Sequence, residues 1–387
     1  ALVLGESLYD NNNIILKIFV FDKKQKLDKI PKYISLEWVE DLGLENWKRY
    51  AFLYDIIEFS TSLKPYISIK LLKDYEKVIF FDPDIYICSK IDSIIEDLNN
   101  SPVILTPHYI KPQPRTINES DLPMMRFGSF NLGFFAVDNS KDAILFLNWW
   151  NIRCLDFCFM ESQFGLSTDQ KWVTIAPCFF DFLKISFNPG YNFAPWNTFE
   201  RSISKKINKI YKVEDKFDLV FFHFSNFNHD DPQYLLKRAS NEKNQSYKYV
   251  EEIGLNYSKK LKYYENLIPK ISYSFDYMSD GSYISPTLRK AYSSVINEFD
   301  HVMDPFNIES DFGKFIKRNN LFSKPNLNNY SYPSINDSKN HGFYFKIIYL
   351  IMRIILKFVG PNKFYDLSKL MVYLSVYRFK DHKYWKI

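Results

Sequence analysis

The sequence predicts an α/β fold built on a mainly parallel sheet. Short apolar runs alternate with helix-like stretches as far as residue 224, the rhythm of strand–helix–strand units. Several of those runs, 78–81 among them, are apolar without interruption, as strands buried on both faces are. Lys77-Val78-Ile79-Phe80-Phe81 then runs directly into Asp82-Pro83-Asp84. That places two carboxylates at the carboxyl end of a strand, the side on which open α/β sheets bind ligands. Pro83 stops the strand. Two carboxylates one residue apart read in two ways. They close a strand with an acidic turn, or they share a divalent cation and through it hold a diphosphate.

Taken in order, residues 1–11 read as a helix ending in the turn Asp10-Asn11-Asn12-Asn13. A strand is expected over 14–21 and a shorter one over 35–39. A helix with no strand ahead of it is odd for such a sheet. The first residue is Ala1, not Met, so a first strand missing from the N-terminal side is expected. Residues 47–75 read as mostly helical, with Ser60 or Thr61 as a cap and Pro65 in a first turn. The strand 78–81 follows, then a helix over 91–98 and a strand over 103–106. Residues 111–125 hold three prolines and read as a long loop near the site. Next come a strand over 130–138, a helix over 142–157, a helix over 169–182 and a strand over 184–187. Asn188-Pro189-Gly190-Tyr191-Asn192 is a turn by composition, and a last buried strand over 219–224 carries His223. Beyond about 235 the pattern changes to a charged helix over 237–264, a helix over 287–299 opened by Ser285-Pro286, and a polar loop over 304–337. The expected division is therefore 1–235, a helical and loop extension over 236–340, and basic helices over 341–387.

Composition bounds the rest. The chain is 46% hydrophobic over 387 residues, enough for a full core and against wholesale disorder. A net charge of +5 is too weak to argue for nucleic acid, and no such partner is expected. Cys88, Cys154, Cys158 and Cys178 show no pairing pattern and read as reduced, buried thiols, with zinc as a remote alternative. No apolar run approaches the roughly 18 residues of a membrane span. Residues 343–359 are apolar apart from Lys346, Arg353 and Lys357, whose spacing puts all three on one helical face. Lys363, Lys369, Arg378, Lys380, Lys383 and Lys386 continue the basic bias. This reads as an amphipathic basic helix for an anionic membrane surface, or as a helix docked on the core or a dimer interface.

Asp82-Pro83-Asp84 after its apolar strand resembles the D-x-D motif of GT-A nucleotide-sugar glycosyltransferases. Further stretches resemble a bacterial group related to glycosyltransferase family 8, in the same order. They are Phe130-Asn131-Leu132-Gly133-Phe134, Asp169-Gln170-Lys171-Trp172, Asn188-Pro189-Gly190-Tyr191-Asn192 with Trp196-Asn197, and Phe222-His223-Phe224-Ser225. The likeness spans roughly 1–235. It implies a GT-A (Rossmann-like) sheet flanked by helices and a metal-dependent, hexosyltransferase-like enzyme with retention of configuration. It implies Asp82, Asp84 and His223 as ligands of Mn²⁺ or Mg²⁺, with Asp82 also on the donor side. It implies Asp169, Gln170 and Asn131 beside the donor sugar. Lys64 is read as a point charge on the diphosphate or as a solvated helix lysine. Glu58 and Thr61 are read as helping to hold the nucleotide. Tyr191 and Trp196 are read as packing on sugar or base, or in the core. Should the enzyme invert, Asp169 and the pair Asp230-Asp231 are candidate bases. The expected donor is a nucleotide sugar, UDP-linked by preference, and the acceptor a surface glycan or a glycolipid. The expected place is the cytoplasm, peripheral to the inner face of the membrane. Two rival readings are a non-catalytic module that binds glycan or a partner, and a metal hydrolase.

Overall fold

A computed structural model describes residues 1–27, 29–113, 121–162, 165–231, 247–268, 272–322 and 343–374. It is a mixed α/β structure, and its eleven described strands are short and divided among four small sheets. Two compact units are present: Ala1–Glu45 with Ile56–Tyr273, and Asn46–Asp55 with the described residues from Ser274 on.

The first unit opens with α1 (Leu2–Asn12), which stops where Asn13 turns left-handed at φ 55° and returns its amide to the Tyr9 carbonyl. Strands β1 (Leu16–Val20) and β2 (Ile34–Trp38) pair in parallel, Leu16 opposite Ile34. The helix Lys64–Leu71 carries Pro65 in its first turn, where a missing N–H is harmless. Ser60 and Thr61 do not cap it. They lie inside the preceding helix Ile56–Ser62, and both hydroxyls donate back to the Ile57 carbonyl. Next come β3 (Lys77–Phe81), β4 (Ile85–Ile87), the helix Asp92–Asn100, β5 (Val103–Pro107), β6 (Phe130–Asp138), the helix Lys141–Phe157 and β7 (Leu183–Ile185). The largest sheet has the order β3-β6-β5-β7.

A mainly parallel sheet is not what forms. β6 runs antiparallel to both β3 and β5, and among the described strands only β5 with β7 and β1 with β2 pair in parallel. β6 is buried at eight consecutive positions. Unbroken apolarity reports burial on both faces, and it does not report strand direction. A second departure is the three-stranded antiparallel sheet of β8 (Ile203–Ile207), β9 (Ile210–Val213) and β10 (Phe217–Asp218), which the sequence pattern did not predict. Its first turn is Asn208-Lys209, both left-handed at φ 49° and 70°, the geometry of a tight hairpin. The last strand, β11 (Phe221–His223), pairs antiparallel with β4. Leu4 and Leu8 of α1, Ile85 and Ile87 of β4, Phe134 of β6 and Phe221 of β11 meet in one buried cluster. That cluster fixes the turn between β3 and β4.

The helix expected over 169–182 shrinks to Gln170–Val173 and a 3₁₀ turn at Ala176–Cys178. Pro177 removes the donor that a continuing helix needs and clashes one turn back. Of the loop expected over 111–125, residues 114–120 lie outside the described residues, and its end is the helix Leu122–Phe127. The charged helix is Tyr247–Leu267, with 237–246 outside the described residues. None of the four cysteines forms a disulfide, but Cys178 is exposed and Cys88 only half-buried, against the expected burial.

In the second unit, Ser285 caps the helix Pro286–Val295 by accepting from the Leu288 amide at 3.1 Å. Arg289 on that helix is buried. Its guanidinium donates to the carbonyls of Ala51 and Phe52 at 2.8 Å and of Tyr54 at 2.7 Å. Those are the orphan carbonyls at the end of the helix Trp47–Leu53. The polar loop expected over 304–337 contains a helix, Asp311–Arg318, capped by Ser310, and 323–337 lie outside the described residues. The C-terminal helix Phe343–Leu374 is broken at Gly360 (φ 78°), followed by Pro361. Apolar side chains are exposed at five consecutive positions, Ile347 to Ile351. Consecutive residues point in every direction around a helix, so the apolar surface encircles it and is not confined to one face. Arg378, Lys380, Lys383 and Lys386, and the Lys346 side chain, lie outside the described residues. Among the described residues no helix is long and apolar enough to cross a membrane.

Candidate active site

Backbone pairing assembles the site. The Asp82 amide donates to the Gly133 carbonyl at 2.7 Å, and the Ile85 amide to the Asp82 carbonyl at 3.1 Å. These bonds close a tight turn around Pro83 and start β4. In the β4–β11 ladder His223 lies opposite Ile85, and the Phe224 amide donates to the Asp84 carbonyl at 2.9 Å. The register therefore delivers His223 beside Asp84. His223 Nε2 lies 3.2 Å from Asp84 Oδ1. One ligand atom from each of Asp82, Asp84 and His223 fits within 4.8 Å of the others.

This set fits a hard divalent cation. His223 Nδ1 lies 2.9 Å from Asn192 Oδ1, an oxygen that can only accept, so the ring proton belongs on Nδ1. Nε2 then faces Asp84 either as part of an imidazolium or as a free lone pair across a cation, and a neighbour on the far nitrogen is the usual support of a ligating histidine. Burial pushes the Asp84 carboxyl up, but the positive charge and hydrogen bond of His223 outweigh it and hold Asp84 below its ordinary value.

Gly133 makes room for this imidazole, since a Cβ added there would meet His223 Cε1 at 2.4 Å. Gly133→Ala is expected to push the ring off its position and, for a divalent cation held by this set, to weaken binding about tenfold or more. Overpacking should lower stability by only about 1–3 kcal/mol. Electron paramagnetic resonance of free Mn²⁺, beside a urea titration, separates the two effects.

Lys64 is the second centre. Its ammonium is buried, 3.3 Å from Asp82 Oδ1 and 3.2 Å from Asp169 Oδ2. It donates to the Leu132 carbonyl at 2.9 Å and lies 4.7 Å from the centre of the Phe80 ring. It is not a solvated helix lysine. Burial alone would lower its pKa, but Asp169 and Asp82 raise it well above the ordinary lysine value. Burial raises the Asp169 carboxyl, and Lys64 partly offsets that. Asp169 accepts from the Thr168 hydroxyl at 3.0 Å and makes no capping bond to its own helix.

Gln170 and Asn131 brace the amino end of β6. Gln170 Oε1 accepts from the Leu132 amide at 3.2 Å, and its Nε2 donates to the Phe127 carbonyl at 3.0 Å. Asn131 Oδ1 accepts from the Gly133 amide at 3.1 Å. Asp82, Asp84, His223, Lys64, Asp169, Gln170 and Asn131 are thus linked through β3, β6 and β11. Glu58 and Thr61 are used differently. The buried Glu58 carboxylate accepts from the Met160 amide at 2.8 Å, and Thr61 Oγ1 lies 3.5 Å from Cys158 Sγ. Thr61 shares an apolar cleft with Lys64 and Asp82, whereas Glu58 does not line it. Tyr191 is a core residue whose hydroxyl donates to Asp97 at 3.3 Å. The Trp196 ring packs edge-on against His223 at 5.2 Å. Asp230 is exposed beside His229, at 3.4 Å.

Sequence reading missed Asn192 and His108. Asn192 is left-handed at φ 51°, so an asparagine at the end of Asn188-Pro189-Gly190-Tyr191-Asn192 was a signal of a special backbone position. His108 is half-buried just past the end of β5, its Nε2 3.4 Å from Asn131 Nδ2, and desolvation of its ring lowers its pKa to about 4. Its position just beyond a strand end was the available clue.

No family model matches the chain. Two proteins of Bacillus subtilis (strain 168) are similar to it. The uncharacterized protein YfnD is 28% identical over 200 residues, covering 50% of this chain and 61% of YfnD. The uncharacterized protein YfnF is 26% identical over 210 residues, covering 53% of this chain and 69% of YfnF. The matched region is thus about half of this chain and roughly three fifths to two thirds of those relatives, and neither relative's name states an activity.

Proposed function

We propose that this chain is a metal-dependent glycosyltransferase of the GT-A arrangement. It moves a sugar from a nucleotide-diphosphate sugar, UDP-linked by preference, to a surface glycan or lipid-linked acceptor. The observation that carries this reading is the meeting of Asp82, Asp84 and His223 from the ends of two neighbouring strands. A Mn²⁺ or Mg²⁺ ion held there supplies the positive charge that a departing diphosphate needs, and the imidazole favours Mn²⁺. Lys64 holds Asp82 and Asp169 at fixed positions and adds a second, desolvated positive charge beside the phosphates. Asp169, Gln170 and Asn131 offer hydrogen-bonding groups to the donor sugar. Retention follows from attack on the face the diphosphate leaves: the bond from C1 to the phosphate oxygen breaks, the bond to the acceptor oxygen forms, and the acceptor proton passes to the phosphate. The encircling apolar surface at 347–351, with Arg353 and Lys357 four apart, supports contact with an anionic membrane, where a lipid-linked acceptor resides.

Calorimetry with UDP is the first test. Binding is expected with Mn²⁺ and not after chelation, and a screen of nucleotide sugars should then find one that is consumed. No nucleotide binding in the presence of Mn²⁺ overturns the enzyme and leaves a glycan-binding module. An inverted anomeric proton in the product spectrum overturns retention alone.

A further inference from the structure

We propose that the buried ion pair Glu200–Arg201 is the common positioning element for both halves of the cation site, acting on His223 through Asn192 and on Asp82 through Asn131. The two residues are neighbours in the chain, 7% and 3% exposed. Arg201 Nη2 and Nε donate to Glu200 Oε1 at 2.6 and 3.1 Å. Each charge neutralises the other, and each group keeps hydrogen-bonding capacity for other segments of the chain. A buried ion pair adds little net stability, because desolvation cancels most of the attraction. This one does what an apolar pair of the same volume could not: it binds two backbone amides and two backbone carbonyls at once.

Arg201 reaches the turn ahead of Asn192. Its Nη1 donates to the Tyr191 carbonyl at 3.0 Å and to the Pro189 carbonyl at 3.4 Å. These carbonyls flank Gly190, and Asn192 follows in its left-handed conformation, its side-chain oxygen 2.9 Å from His223 Nδ1. The guanidinium fork therefore sets the path of the backbone that aims Asn192 at the imidazole. Glu200 reaches the other half. Its Oε2 accepts from the Ile110 and Lys111 amides at 2.8 and 2.7 Å, and the Tyr109 ring packs edge-on against Phe199 at 5.3 Å. These contacts fix the chain directly after His108, whose Nε2 lies 3.4 Å from Asn131 Nδ2. Asn131 Oδ1 already accepts from the Gly133 amide, so its nitrogen is the end that faces His108, and the imidazole is the acceptor there. The Gly133 carbonyl in turn accepts from the Asp82 amide. One string of contacts thus runs from Glu200 to Asp82 and another from Arg201 to His223, and the two meet in a single ion pair. The inference rests on the reading of Asp82, Asp84 and His223 as a cation site, and not on sugar transfer.

Bound Mn²⁺ reads both halves without any turnover. Titration followed by electron paramagnetic resonance gives its affinity, and spin-echo modulation from a directly bound imidazole nitrogen reports His223. The full chain is compared with Arg201→Lys and Glu200→Gln. A lysine ammonium keeps the charge beside Glu200 but cannot also span the two carbonyls. A glutamine turns an N–H toward one of the two amides that the carboxylate accepts. Each variant is expected to bind Mn²⁺ about tenfold or more weakly, and Arg201→Lys to lose the nitrogen modulation as well. Arg289→Lys alters another buried guanidinium that binds backbone carbonyls and controls for general loosening, with a urea titration showing which proteins are folded. Either test variant decides by itself should the other fail to fold. Wild-type affinity in a folded test variant, unchanged nitrogen modulation in Arg201→Lys, or an equal loss in Arg289→Lys overturns the proposal and leaves the pair a structural one. A wild-type chain that binds no Mn²⁺, or binds it without nitrogen modulation, overturns the cation site itself and the proposal with it.

Discussion

Asp82→Asn is expected to weaken Mn²⁺ binding by about two orders of magnitude and to abolish metal-dependent sugar transfer while the chain stays folded. The substitution keeps the shape and removes the charge. Asp82 stands at the junction of the two centres, a member of the candidate cation site with Asp84 and His223 on one side and 3.3 Å from Lys64 on the other. An amide oxygen is a weaker ligand for a hard cation and does not neutralise it. Lys64 retains Asp169 and the Leu132 carbonyl, so it is not left alone. The Asp82 side chain is 29% exposed, so losing this pair should change stability by only about 1 kcal/mol. Mn²⁺ titration by electron paramagnetic resonance and a urea titration on the same preparation read the two quantities. Wild-type Mn²⁺ affinity in the variant, or wild-type turnover in the presence of chelator, would remove Asp82 from the site.

The parts of this site legible in the sequence were those that sit at strand ends. Asp82, Asp84 and His223 each follow or close an apolar run, and a run of that kind declares both its burial and where it stops. What the sequence could not show is who supports them. Asn192 reaches His223 because a left-handed turn swings it there, and Gly133 matters only through the imagined Cβ it lacks. Neither has a periodicity. Lys64 was ambiguous for the opposite reason: a lysine in a first helical turn looks solvated until the strands beneath it, β6 and β3, supply Leu132 and Phe80. Strand direction was the main loss in the fold, since β6 is as apolar as any parallel strand. The sheet over 203–218 was hidden by its lysines: Lys205, Lys206 and Lys212 lie on partly exposed strands, and only the Asn208 turn marks the hairpin.

Lys64→Met carries the largest expected change in stability, a loss of about 3–5 kcal/mol, which is a large share of the 5–15 kcal/mol typical of a folded protein. Methionine fills the same volume, so the loss is electrostatic. Without the ammonium, Asp169 is buried with the Thr168 hydroxyl as its remaining close donor, and the Leu132 carbonyl loses its partner. The pH dependence identifies the cause. The Lys64 pKa is raised in the folded state, so its stabilisation is complete below about 10.4, the unfolded value, and fades only as pH climbs through the folded one. Wild type should thus hold this contribution across the neutral range. In the variant the burial that raises Asp169 is no longer offset. A carboxyl with a raised folded pKa destabilises the ionised fold above that pKa and ceases to do so once protonated in both states. The deficit of Lys64→Met should therefore shrink as pH falls from 8 toward 5. Adding Asp169→Asn should recover most of it at pH 8, a strongly non-additive pair. Urea unfolding of the four proteins at the two pH values gives the full cycle. A deficit equal at both pH values and untouched by Asp169→Asn would mean that Lys64 acts through packing, and that the link between Asp82 and Asp169 is incidental to the fold.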